Sequence, residues 1–159
     1  LERVLAASPE RVPAIEGMAT VRERQGRLEE ALGLWQRVAR LKELTPGEWI
    51  RLGEVAMGAG RTDEAIAALE RARGLQGADF RHDLELGVLY LAARRPTEAR
   101  EALDRVPRGH PGRPMALFKR AQVSVLLGEP DRAERIRRAR EAADATTAPL
   151  IARERLFIE

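Results

Sequence analysis

Apolar positions along this chain recur at steps of three and four residues, broken at regular intervals by glycine or proline. That spacing lines one face of an α-helix, and no stretch alternates in the period of two that a half-buried strand requires. In one stretch Trp49, Leu52, Gly53 and Ala56 fall at helical steps, Gly60 and Arg61 interrupt, and Ala65, Ile66, Leu69 and Ala72 resume. Two helices joined by a short turn are the local expectation. Gly60 suits the left-handed position that ends many helices. Thr62 or Asp63 is expected to cap the second helix, with Glu64 in its first turn, where the dipole favours an acid.

The hairpin repeats with a fixed period. Ala31, Ala65, Ala99 and Ala133 are each 34 residues apart, and Gly26, Gly60 and Gly128 fall on the same register. Trp35, Leu69 and Leu103 form a third column, Val38, Ala72 and Val106 a fourth, and the small residues Ala19, Gly53, Gly87 and Ala121 a fifth. Five columns in one register give four units, at 12–45, 46–79, 80–113 and 114–147. Such a period marks a stacked repeat array. Gly53 and Ala65 are expected where the two helices of a unit cross most closely, because a large side chain there would hold them apart.

These residues resemble the tetratricopeptide repeat family, whose signature pairs a Trp-x2-Leu-Gly-x2-Tyr helix with an Ala-x3-Phe helix and a later proline. The second unit offers Trp49-x2-Leu52-Gly53-x2-Ala56 and Ala65-x3-Leu69-x2-Ala72; the third offers Leu86-Gly87-x2-Tyr90, Ala99-x3-Leu103-x2-Val106 and Pro111. The resemblance implies an all-α, right-handed superhelical solenoid of antiparallel helix pairs, one domain over 1–159. Residues 1–11 match the tail of a preceding repeat. Residues 148–159, with Leu150, Ile151, Phe157 and Ile158, read as a capping helix in preference to the start of a fifth repeat. The departures from the pattern are Arg22 in an aromatic slot, Arg94 in place of a turn glycine, and Arg120, Arg137 and Arg140 at apolar slots of the fourth unit.

Composition narrows the chemistry. There is no cysteine among 159 residues, and His82 and His110 are the two histidines, which leaves no zinc site, no thiolate nucleophile and no disulfide. No metal or cofactor is expected. All but two of the 28 basic residues are arginine, so a net charge of only +3 still gives a sequence pI near 10.1. The arginine bias with abundant alanine suggests a GC-rich, bacterial source. No secretory leader or membrane-length apolar run is present, making the cytoplasm the default location; a start at Leu1 suggests a fragment of a longer protein.

Each chemical motif has a plainer reading that wins. His82 and Asp83 are helix neighbours that do not face each other and read as a solvated helix start. His110 lies in the loop Arg108–Pro114. Gly58-x-Gly60-Arg61-Thr62 lacks the lysine and the preceding strand of a phosphate loop. Arg132, Arg135, Arg137, Arg138 and Arg140 spread around their helix among Asp131, Glu134 and Glu141, which is a salt-bridged surface and not a basic face for nucleic acid. The related pentatricopeptide architecture, which reads RNA, usually steps by 35, and the unbroken alanine ladder argues against it.

No acid, base and nucleophile converge, so the chain is expected to be non-catalytic. The resemblance implies a protein interaction scaffold whose first helices line a concave groove. Its implied groove residues are Ile50, Glu54 and Met57 in the second unit, Arg81, Leu84, Val88 and Leu91 in the third, and Met115, Phe118, Gln122 and Val125 in the fourth. Glu16, Thr20 and Glu23 of the first unit would make the groove acidic at its start and apolar later, suited to an apolar or amphipathic partner segment. A lysine–asparagine clamp for carboxylates is not matched, since Glu16, Thr20, Arg51, Arg81 and Glu85 occupy its slots. The alternative role is a regulatory or recruitment module of a larger enzyme or signalling protein.

Overall fold

The computed structural model describes residues 11–146, which are all-helical apart from turns and loops. The expected cap over 148–159, and the expected tail over 1–11 apart from Arg11, lie outside them. The helices are α1 (Arg11–Arg24), α2 (Leu28–Leu41), α3 (Pro46–Gly58), α4 (Thr62–Gln76), α5 (Asp83–Ala92), α6 (Pro96–Arg105), α7 (Arg113–Leu126) and α8 (Arg132–Thr146), with a 3-10 turn at Gly77–Asp79. They pair as α1/α2, α3/α4, α5/α6 and α7/α8. The chain divides into two compact units, the first ending at Phe80 and the second beginning at Arg81. In the first unit α2 also packs on α3; in the second α7 packs on both α6 and α5.

One backbone device closes all four hairpins. Gly26, Gly60 and Gly128 have φ of 72, 72 and 64°, and the next residue donates its N–H five residues back, as Arg61 does to the Ala56 carbonyl at 2.8 Å. The left-handed residue itself donates three residues back, Gly60 to Met57 at 3.0 Å. These two bonds are the Schellman arrangement, which satisfies helix-end carbonyls without any side chain. Arg94 performs the same step with φ 57°, and Arg95 donates to the Tyr90 carbonyl at 2.8 Å. An L-residue pays roughly 1–2 kcal/mol for that conformation. Arg94→Gly is therefore expected to stabilise the second unit, by up to about 1 kcal/mol after the extra unfolded-state entropy of glycine is deducted; chemical denaturation checks it.

The tight turn also corrects the expected cap of α4. Arg61 closes the turn and at once occupies the cap position, without a capping bond from its side chain, so Thr62 and Asp63 lie inside the helix. α3 starts differently. Thr45 Oγ1 accepts from the Glu48 N–H, the Glu48 carboxylate accepts from the Thr45 N–H at 2.7 Å, and Pro46 fills the first turn. That reciprocal pair is a capping box.

Helix pairs meet at the small-residue column. An ideal Cβ on Gly53 would lie 2.9 Å from Leu69 Cγ, and one on Gly87 would lie 2.6 Å from Leu103 Cγ and Cδ2. The element pressed against each glycine is thus the leucine of the facing helix. Ala65 contributes its carbonyl, 3.6 Å from the Gly53 position.

The fourth pair departs from the ladder. Arg120 occupies the slot of Leu52 and Leu86 and is as buried as they are, only 5% exposed. It survives there because Asp104 accepts from its Nε at 3.0 Å and Glu129 from its Nη1 at 2.7 Å. In α8 Ala133, Arg137 and Arg140 are exposed, whereas Ala139 is buried and Ile136 and Ala142 are half-buried. The inward face of α8 therefore falls one residue before the position the period predicts. That turns the two arginines toward solvent.

Candidate partner-binding faces

The first helix of each pair carries the residues expected to meet a partner, and each unit presents its own face. In the first unit the acids are already engaged. Glu23 accepts from Trp35 Nε1 at 2.7 Å and from Arg51 Nη2 at 2.9 Å, and the Arg51 guanidinium stands 5.7 Å from the Trp35 ring centroid. The hydrogen bond that Arg51 donates to Glu23 holds the Arg51 pKa above its ordinary value. Glu16 lies 2.8 Å from Lys42 Nζ, and Lys42 also pairs with Glu48; those carboxylates raise the lysine's pKa. The Thr20 hydroxyl donates to the Glu16 carbonyl at 3.0 Å. The expected acidic start of the groove is corrected: Glu16 and Glu23 are neutralised by cations from α3 and from the end of α2. The same pairing removes Arg51 as a carboxylate-clamp cation.

On α3, Ile50 is half-buried, Glu54 is exposed and Met57 is 38% exposed. Steps of four and three place the three on one face, turned from the buried Leu52, Val55 and Ala56.

The second unit carries the more apolar face. Val88 is 38% and Val125 42% exposed, Leu84, Leu91, Met115 and Gln122 are half-buried, and Arg81 is exposed. Leu84 packs closely on Gly112, where an added Cβ would displace the end of the Leu84 side chain. Phe118 is corrected: at 3% exposure it belongs to the core of this unit, because α7 lies against both α5 and α6 and its Phe118 side is enclosed. Leu126, 67% exposed, was missed. Its four-residue step from Gln122 is the signal that could have found it.

The remaining motifs resolve locally. Asp83 is buried rather than solvated, and accepts from Arg105 Nε of α6 at 2.9 Å. His110 Nδ1 accepts from the Gly112 N–H at 3.0 Å. Arg137 binds Glu134 and Glu141, Arg138 binds Glu134, and Arg135 stands 2.9 Å from Asp131. Among the described residues no three His, Cys, Asp or Glu side chains group as metal ligands, and no helix is long and apolar enough to cross a membrane.

Residues 50–114 match the family model described as tetratricopeptide repeat. Among solved structures, that of YrrB, described as a TPR protein with an unusual peptide-binding site, matches with a TM-score of 0.74 at 19% identity, over 89% of this chain and 72% of that one. The crystal structure of MamA matches with a TM-score of 0.71 at 20% identity, over 92% of this chain and 86% of that one. No curated protein matches. At these identities the two structures speak for the shared fold.

Proposed function

We propose, for a chain whose residues 50–114 belong to the tetratricopeptide repeat family, that it is a non-catalytic scaffold which binds a peptide or helical segment of a partner protein on the faces of its first helices. The observation that carries the reading is the half-exposed apolar set Val88, Leu91, Val125 and Leu126 of the second unit. Side chains of this kind, left in water beside a well-packed core, gain on being covered. Ile50 and Met57 offer a smaller apolar face in the first unit, and methionine adapts to varied partners. A peptide ligand is carried over as a class from YrrB, which is described by its peptide-binding site. Engagement of Glu16 and Glu23 by their own cations argues for an apolar or amphipathic ligand over a basic one.

Peptides selected from a random display library on the immobilised chain test this. Val88→Glu combined with Val125→Glu is expected to weaken the selected peptides at least tenfold, with helicity and melting temperature nearly unchanged. Selected peptides that bind the double variant as well as the parent would remove the second-unit face as the site.

A further inference from the structure

Between the C-terminal turns of α2 and α4 the first unit holds an open cleft of about 900 Å³. Pockets of this size accommodate ligands or several anchoring side chains. Leu44 is buried in its wall, Leu41 and Trp49 are half-buried, and Leu75 is 60% exposed at the edge. Gly74 also lines it, and an ideal Cβ there would meet no heavy atom within 4 Å. Apart from Trp49 at the start of α3, the lining comes from α2, α4 and the loop between α2 and α3, so the cleft is independent of the faces proposed above.

Its charges point to the ligand. Arg40 of α2 and Arg71 of α4 line the cleft, and neither forms an ion pair among the described residues. The third lining cation, Lys42, is held by Glu16 and Glu48. Of the two lining acids, Glu70 has an interaction of its own, leaving Glu43 against the two arginines. Arg71 and Leu75 are four residues apart on α4 and so adjacent on its surface. Cation and apolar anchor thus stand side by side, and guanidinium groups favour carboxylates by fork geometry as well as charge.

We propose that this cleft is a second docking site, one that takes an acidic amphipathic peptide segment. Leucine-sized side chains of the segment rest against Trp49 and Leu75, and its carboxylates meet Arg40 and Arg71. The test titrates the full chain with an amidated twelve-residue peptide of glutamate and leucine, its leucines on one helical face, and with the counterpart carrying lysine for glutamate. Trp49 reports from inside the cleft, while Trp35 is buried against Glu23.

The acidic peptide is expected to change tryptophan fluorescence saturably, and the lysine peptide to bind at least tenfold more weakly. Gly74→Phe, which fills open space, and the pair Arg40→Glu with Arg71→Glu are each expected to weaken the acidic peptide at least tenfold. Val88→Glu in the other unit leaves it unchanged, which separates this site from the proposed face. Should Gly74→Phe lose helicity by circular dichroism, the arginine pair decides. Absence of saturable binding, equal binding of the lysine peptide, or full affinity in the arginine pair overturns the proposal. So does a concentration-dependent dimer that Gly74→Phe abolishes, since the occupant is then a second copy of this chain.

Discussion

Glu129→Ala is expected to lower the stability of the second unit by about 3 kcal/mol, the lower end of what breaking a buried ion pair costs. The variant strands Arg120, whose side chain is only 6% exposed, with Asp104 as its remaining carboxylate, and Asp104 is itself half in water. Arg120→Leu restores the residue type found at positions 52 and 86 and removes the buried cation instead of stranding it. Its cost is expected to be much smaller, because an apolar side chain in place of a buried ion is often neutral or better. Glu129 keeps Arg100 and Arg135 nearby, at 3.6 and 3.5 Å, which eases that exchange. Urea denaturation of the two variants, with amide exchange followed in α7, measures the difference.

The same pair sets an acid limit. The hydrogen bond from Arg120 holds the Glu129 carboxyl below its ordinary value of 4.5, against a smaller opposing effect of burial. A depressed carboxylate stabilises the folded chain fully above its unfolded pKa and loses that contribution as pH falls through the folded one. The second unit is thus expected to weaken progressively below about pH 4.5, and Glu129→Ala to flatten that part of the profile.

Gly87→Leu is the second large expected effect. Even the first carbon of a side chain would lie 2.6 Å from two carbons of Leu103, which is itself only 1% exposed. Overpacking of this kind costs typically 1–3 kcal/mol, and here the whole side chain has to be placed. A double-mutant cycle makes the contact visible. Gly87→Ala and Leu103→Ala should each destabilise, the latter by roughly 2–5 kcal/mol, and together they should cost less than their sum because the small partner now has room. Strict additivity of the two would show that the helices do not cross there.

Much of the fold was legible because close approach leaves a trace in residue type. Gly53 and Gly87 are small where a leucine presses on them, and three of the four left-handed turn positions are glycine. The period alone misplaced α8, for its inward face moved to Ala139 once Arg137 and Arg140 had to reach water. The faces were harder to read. Phe118 shares helical spacing with Met115 and Val125, and only the packing of α7 against two neighbours shows which of them is enclosed. Glu16 and Glu23 looked like free acids because their cations come from elsewhere in the chain, Lys42 and Arg51. The cleft at Trp49 and Leu75 was missed although Leu41 and Leu75, both in its lining, stand one 34-residue step apart; equivalent positions in neighbouring repeats do not by themselves show that the space between them is open.

The hairpin turn has a consequence for tolerance to insertion. Its two hydrogen bonds run from backbone to backbone across a fixed number of atoms, so the connection has no slack. One residue added between Gly60 and Arg61 would leave α4 either without its starting bond or rotated by about 100°, carrying Ala65 and Leu69 off the face that meets Gly53. Lengthening is therefore tolerable only where helices are joined by looser chain, as between α6 and α7, and not within the four turns at Gly26, Gly60, Arg94 and Gly128.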